Sequence, residues 1–405
     1  MEDNLKTKES IFKNGLDMLY LANCALCDMV PQKEVMEVMD LAAVYATAKN
    51  QTMAAVAFYG LENWLNSPES EGFEVDEDLL KKWQQTRDMA IRKNAMLDIA
   101  REQLFAYMDE HEIWHMPLKG SLLKDMYPKL GMRQMADNDI LIDAAYRKQV
   151  FDYMVGLGYE GKYHDAAAHD EFLKKPFYNF EIHNVLVSQN KLPAFAEYYK
   201  NIKDKLIKAE GYRYYFRDED FYIYMMAHAY KHHSGSGNGV RHIMDVKVFL
   251  DKKPSLDWQY INCELEKLEI AEYEATVRTL ADKIFDSNCR TPNEIKTLLK
   301  TDELDLLSFS LGAGTYGTIE IRVENNWKKY AKGKQATLIN KFKYFWGRLT
   351  WEEALYSEFP KLAKYKILHP VLYVLRAIKV LICRRDRLSA EVKVVRNVST
   401  DDAKK

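Results

Sequence analysis

Apolar residues recur at helical spacing through most of the chain, and shorter, strand-like runs interrupt that pattern between about residues 112 and 190. Ile11, Leu16, Leu19 and Leu21 form one helical face, and Val35, Val38, Met39, Ala42, Ala43 and Ala46 form a second, with Pro31 between them. Residues 66–78, NSPESEGFEVDED, are rich in Pro, Gly, Ser and acids and are expected to be a linker. A long amphipathic helix is predicted from Leu79 to about Glu110. Strands are predicted over Ile113–Leu118, Ile140–Ile142 and Phe177–Val187, with a helix over 144–157 capped by Gly158. The segment Tyr163–Lys175 is polar and poorly periodic. Beyond residue 190 the pattern is helical again: Phe221–His233, Val240–Leu250, two segments over 258–300 separated near Pro292, and a stripe within Ile367–Cys383. The expected class is α+β, a small mixed sheet embedded in a mostly α-helical protein. The expected divisions are 1–110, 111–190, 191–300 and 301–405, the last ending in a disordered tail, STDDAKK.

Composition narrows the class of protein. With 405 residues, 47% of them hydrophobic, the chain can bury one large core or two to three smaller ones. Lys and Arg number 58 against 60 Asp and Glu, which argues against a dominant nucleic-acid footprint. Five cysteines in no regular framework suit a reducing cytoplasm, and Cys24 and Cys27, a CxxC within an apolar helix, read as packed thiols. The N-terminus lacks a signal-like apolar run, and no stretch of about 18 apolar residues is free of charge, so a cytoplasmic protein without stable membrane insertion is expected. Near the end, Val371, Leu372, Val374, Leu375, Ile378, Leu381 and Ile382 precede the basic cluster Arg384, Arg385 and Arg387. That pattern suits a helix docked on the rest of the protein, or one lying on a membrane surface.

The candidate chemistry lies between Met116 and Asp143. Asp137 and Asp139 precede the apolar run Ile140–Ile142, and on a strand their side chains share one face. Two carboxylates so placed repel each other, and a divalent cation removes that penalty; Mg²⁺ commonly takes one or two carboxylates plus substrate phosphates. Lys119 and Arg133 are the cations suited to a triphosphate, the alternative for each being pairing with Asp125 or Asp137. Glu181 and His183 share one face of the Phe177–Val187 strand, where Glu181 is either a solvated edge residue or a third carboxylate beside the pair. His228 and His232 form an HxxxH without the glutamate of a zinc protease. Gly235–Gly239 contains no phosphate-loop lysine, and Arg241 and Asp245 stand at i, i+4 spacing that allows a mutual ion pair.

Taken in order, Leu118-Lys-Gly120, Tyr127-Pro128, Arg133-x-Met135-x-Asp137-x-Asp139-Ile-Leu-Ile142 and Glu181-Ile-His183 resemble the uncharacterised nucleotidyltransferase family of the DNA polymerase β-like superfamily. The resemblance takes in Ala48-Lys-Asn50, the helix before Lys119, His228, His232, Arg241 and Asp245, and more softly Tyr344–Arg376. It implies a nucleotidyltransferase core, with transfer of a nucleoside monophosphate from an NTP to a hydroxyl-bearing acceptor and release of pyrophosphate. By the same resemblance Asp137, Asp139 and Glu181 are the catalytic, metal-holding carboxylates for two Mg²⁺ ions, and Gly120 and Ser121 occupy the Gly-Ser turn, with Lys119 and Arg133 also on the nucleotide. Asn138 stands where the family has an apolar residue, which predicts weaker packing on that side of the strand. The acceptor is a small molecule, a protein or a tRNA. A fold-retaining scaffold without catalysis and a toxin-like modifier of protein or tRNA are the alternatives.

Overall fold

A sheet forms where the helical period stops. The computed structural model describes residues 2–161, 163, 169–187, 192–331, 338–359, 361–383 and 385–397; Pro360, Arg384 and the terminal STDDAKK lie outside them. The first helices are α1 (Glu2–Leu26), α2 (Lys33–Met36), α3 (Leu41–Asn50), α4 (Ala54–Leu65) and α5 (Glu77–Glu110). The strands are β1 (His115–Pro117), β2 (Asn138–Ile142), β3 (Glu160–Gly161), β4 (His169–Lys174) and β5 (Tyr178–His183), with α6 (Gly120–Leu123) and α7 (Arg147–Gly156) among them. A small ribbon, β6 (Ile207–Lys208) and β7 (Tyr214–Tyr215), follows α8 (Pro193–Tyr198). Next come α9 (Asp218–His233), α10 (Arg241–Lys252), α11 (Trp258–Lys267), α12 (Ala271–Ile284), α13 (Pro292–Leu298) and α14 (Thr301–Ala313). The C-terminal helices are α15 (Ile319–Ala331), α16 (Leu338–Leu349), α17 (Glu352–Glu358), α18 (His369–Cys383) and α19 (Arg385–Asn397). The class is α+β, as the pattern predicts.

The main sheet runs β1-β2-β5-β4-β3, with β2 and β5 parallel and the other ladders antiparallel. Alternation gives it two different faces. Ile140, Ile142, Phe172, Phe180 and Ile182 point to one side and close a core with Phe105 and Met108 of α5 and Val150 and Met154 of α7. Leu141, from the opposite side of β2, belongs instead to the large helical core that runs from Leu16 to Leu311. The sheet is therefore held between two helical layers.

Helix α5 joins the layers. Asp76 caps it by accepting from the Leu79 amide at 2.7 Å, and acidic Glu77 and Asp78 follow in the first turn. Its 34 residues span roughly 50 Å at 1.5 Å per residue. At one end Trp83 is fully buried against α4, its indole donating to the Ala54 carbonyl; at the other, Phe105 and Met108 lie under the sheet.

The expected linker 66–78 does connect α4 to α5, its last two residues opening α5, and Phe73 meets Trp64 edge-on at 5.6 Å. Two expectations need correction. The polar stretch 163–175 contains a full strand, β4. Its inward residues are Phe172 and Asp170, and buried Asp170 is matched by a fork from Arg147 of α7, with both bonds 2.7 Å. An ion pair in place of an apolar residue hides the strand's alternation. Finally, Asn138 does not weaken its side of β2. It is wholly buried, donates to the Leu97 carbonyl at 2.9 Å and accepts from Arg101 at 3.3 Å, tying the sheet to α5.

The C-terminal helices form small cores of their own. Val323, Trp327, Tyr344 and Val395 make one, and Leu355, Ala363 and Leu372 another. Helix α18 docks through Leu372 and through Arg376, which donates to the carbonyls of Leu349 and Trp351.

Candidate functional site

The parallel ladder places Asp139 of β2 directly opposite Glu181 of β5, and Leu141 opposite His183. All four point away from α5, toward α9 and α10. Oδ1 of Asp139 accepts from Lys119 Nζ at 2.9 Å and meets His183 Nε2 at 2.9 Å. The same imidazole nitrogen stands 3.5 Å from Glu181 Oε2. Burial alone would push the Asp139 carboxyl up, but Lys119 and His183 outweigh it and hold Asp139 well below the usual range. Lys119 in turn stays firmly protonated despite its burial, because Asp139 faces it. Asp137, just before β2, is half-buried; burial together with the charges of Asp139 and Glu181 pushes it up to about 6.

Helix α5 sets the approach to β2 by polar contacts. Lys93 donates to the Ala136 carbonyl at 2.9 Å, Asn94 to the Arg133 carbonyl at 3.0 Å, and Asn138 bonds back to Leu97. The segment that carries Arg133, Asp137 and Asp139 is thus pinned along about one turn of helix.

The turn after β1 is tight. Lys119 has φ +47° and ψ −113°, a conformation that costs a non-glycine residue roughly 1–3 kcal/mol. Gly120 is needed for close packing: a Cβ there would lie 2.3 Å from Arg133 Nη1. Ser121 is buried and its hydroxyl donates to the Leu118 carbonyl at 2.8 Å. Arg133 itself forks onto Asp245 of α10 with bonds of 2.8 and 3.0 Å, and the Tyr127 hydroxyl donates to the same carboxylate at 2.7 Å. The third nitrogen of Arg133, Nη1, faces the thioether of Met135 at 3.1 Å, a weak acceptor. Lys119 and Arg133 therefore pair with Asp139 and Asp245, and neither pairs with Asp125 or Asp137. Nor do Arg241 and Asp245 pair: both Asp245 oxygens are taken, and Arg241 donates to Thr52 Oγ1 and the Gln134 carbonyl.

Lys119, Gly120, Arg133, Asp137, Asp139 and Glu181 line a cleft of about 490 Å³ between the sheet and the pair α9 and α10, whereas buried Ser121 lies behind its wall. His228 and His232 face it from α9, their Nε2 atoms 3.1 Å apart, and Arg241 and His242 face it from α10. Burial, with Lys119 close by, holds His228 well below the usual histidine range, and burial takes His242 down to about 4. Both imidazoles are neutral at pH 7. The glycine turns 235–239 and 314–317 close one side, held together by the Thr318 amide on the Ser236 carbonyl at 3.0 Å. Asp139, Glu181 and His183 each offer one ligand atom, all within 4.8 Å of one another. His169 and Glu171 of β4 form a similar set with Glu181 on the same face, whereas Asp137 joins neither set.

A model of the uncharacterised nucleotidyltransferase family matches residues 37–286, more than half of the chain. The chain belongs to that family. The matched span runs from α3 through α12 and so includes the sheet, α5, α9 and α10. Family membership supports a general role in nucleotidyl transfer. The likeness over Tyr344–Arg376 lies beyond the matched span. No curated protein and no solved structure matches the chain.

The partner of Asp245 and the place of His169 both escape a linear reading. The anchoring role of Asp245 depends on α10 packing over residues 127–133, more than a hundred positions earlier. His169 sits on β4, whose pattern is masked by Asp170. A signal did exist for His183, which alternates with Glu181 and so had to share its face.

Proposed function

We propose that the cleft binds an NTP with Mg²⁺ and transfers its nucleoside monophosphate to a hydroxyl-bearing acceptor, releasing pyrophosphate. One observation carries the reading: in a chain of this family, Asp139 and Glu181 face one another across a parallel ladder at the base of a cleft. The donor set fits a hard cation. Two carboxylates lie within ligand distance of one another, and Asp139 Oδ2 carries no hydrogen bond among the described residues. Asp137, Asp139 and Glu181 would hold the metal, two ions in the full reading. Bound there, Mg²⁺ supplies charge neutralisation at the attacking and leaving oxygens.

The chain's own groups do the positioning. Lys119, kept charged, stands beside the carboxylates where phosphate oxygens would lie. The Gly120 amide begins a helical turn at the cleft and suits a phosphate oxygen, with Ser121 bracing that turn through the Leu118 carbonyl. Arg133 is fixed by Asp245 and offers Nη1, whose present acceptor is a weak sulfur. The acceptor oxygen bonds to the α-phosphorus as the bond from that phosphorus to the bridging oxygen breaks. The electron pair leaves with pyrophosphate, and the acceptor's proton passes to Glu181, which is partly exposed to the cleft.

Incubation with α-labelled ATP, GTP, CTP and UTP, Mg²⁺ and acceptor pools of small hydroxyl compounds, protein and tRNA tests this. Labelled product should fall by about a hundredfold or more in Asp139→Asn and in Glu181→Gln. A wild-type product yield that Asp139→Asn leaves intact refutes the assignment.

A second reading has its own support: Lys119 forms an ion pair with Asp139 at 2.9 Å, and His183 Nε2 meets the same carboxylate oxygen at 2.9 Å. A non-catalytic nucleotide binder predicts equal thermal shifts with NTP in Mg²⁺ and in EDTA, with no pyrophosphate released. A toxin-like modifier of protein or tRNA predicts growth arrest on expression, relieved by Asp139→Asn.

A further inference from the structure

Helix α18 is built with its polarity reversed. Its inward face holds Arg376, which is buried and bonded to the carbonyls of Leu349 and Trp351, beside Leu372. Its outward face carries Val371, Val374, Ile378, Leu381 and Ile382, between 47% and 73% exposed. These positions follow helical spacing and form one continuous apolar stripe. The patch continues onto α16, where exposed Phe342 and Trp346 stack at 5.9 Å and Trp346 meets Tyr373 of α18 at 6.3 Å. Among the described residues no hydrophobic cluster takes up the stripe, and a contiguous exposed face of this kind marks a binding surface.

Charge identifies the occupant. Residues 319–397 carry 18 Lys or Arg against 7 Asp or Glu, a net charge of +11. Residues 1–318 carry 38 against 51, a net −13. The near-zero charge of the whole chain conceals this division. Exposed Lys364 and Lys366 stand just before the stripe and exposed Arg385 just after it. The stripe from Ile367 to Ile382 is roughly 22 Å long at 1.5 Å per residue, short of the 30 Å hydrocarbon core. Consistently, no helix among the described residues is long and apolar enough to cross a membrane. An aliphatic face bounded by basic side chains, with Trp and Phe at its side, is the pattern of a helix lying in a bilayer interface.

We infer that α18, with Phe342 and Trp346 of α16, docks the protein peripherally on an anionic phospholipid surface. A second copy of the same face would bring two strongly basic surfaces together. A nucleic acid would leave the aliphatic stripe without a partner, since its backbone rewards charge alone.

Flotation of the full chain with vesicles of phosphatidylcholine alone, or with about a third phosphatidylserine, tests the inference. The chain should float with the anionic vesicles, and about tenfold less with the neutral ones or in 0.5 M salt. Val374→Asp/Ile378→Asp should abolish flotation with an unchanged circular dichroism spectrum, because both side chains already face solvent. Lys364→Glu/Lys366→Glu/Arg385→Glu should weaken partitioning by about a hundredfold or more, at roughly fivefold per basic residue. Absence of flotation on anionic vesicles overturns the inference. So does wild-type dimerisation that Val374→Asp/Ile378→Asp abolishes without any vesicle binding, or tRNA binding that depends on the basic residues but not on the stripe.

Discussion

Replacing Asp245 by Asn separates the architecture of the cleft from its chemistry. The Asp245 carboxylate accepts from Arg133 Nε and Nη2 at 2.8 and 3.0 Å and from the Tyr127 hydroxyl at 2.7 Å. The two charged side chains are 8% and 9% exposed, so water cannot take over when the pair is broken. Despite its burial, Arg133 keeps the Asp245 carboxyl below the usual range, so it is ionised at neutral pH. Asparagine keeps one acceptor oxygen but leaves the guanidinium charge buried and uncompensated. Removing one partner of such a pair costs about 3–5 kcal/mol. At about 2 °C per kcal/mol for a large domain, the melting temperature should fall by about 6–10 °C. Differential scanning fluorimetry reads this directly. Arg133→Met/Asp245→Leu removes both charges and should recover most of the loss. If Asp245→Asn melts within about 2 °C of wild type, the buried-pair reasoning is wrong. The recovered double variant then reports on Arg133: nucleotide affinity restored along with stability means that Arg133 positions Gly120 and the turn. Affinity still lost means that it touches phosphate.

Lys119→Gly and Lys119→Ala both remove the ammonium from Asp139, but Gly alone relieves the positive φ, so Lys119→Gly should be more stable by about 1 kcal/mol in urea unfolding; equal midpoints would mean that the backbone is unstrained. Asp137, raised to about 6 in the folded chain, binds its proton more tightly folded than unfolded. Its contribution to stability is therefore present below about 4 and lost as pH rises through 6. Mg²⁺ binding should strengthen between pH 5 and 7 and release a proton near pH 5.5, measured by calorimetry in buffers of different ionisation enthalpy; Mg²⁺ affinity that is flat over that range excludes Asp137 from the metal site.

The local pattern reached a good deal of this molecule on its own. Helical and strand periods depend on near neighbours, so α5, α7, β1, β2 and β5 are visible as alternations or 3.6-residue stripes, and with them the α+β class. The family was also legible, because its motifs are short and lie in order between Leu118 and Ile142. What the sequence could not decide is which charges meet. Lys119 had several carboxylates within reach along the chain, and Arg241 had Asp245 one turn away, yet packing gave Asp139 to Lys119 and Asp245 to Arg133. Burial makes such choices exclusive, since a desolvated charge takes the partner that satisfies its whole hydrogen-bonding fork. The same cause hid β4, whose inward Asp170 reads as polar until Arg147 is placed against it. Sequence alone therefore determined the elements and the residue types near the cleft. Tertiary structure decided the pairing, the meeting of Asp139 with Glu181 across forty residues, and the face of α18 left toward solvent.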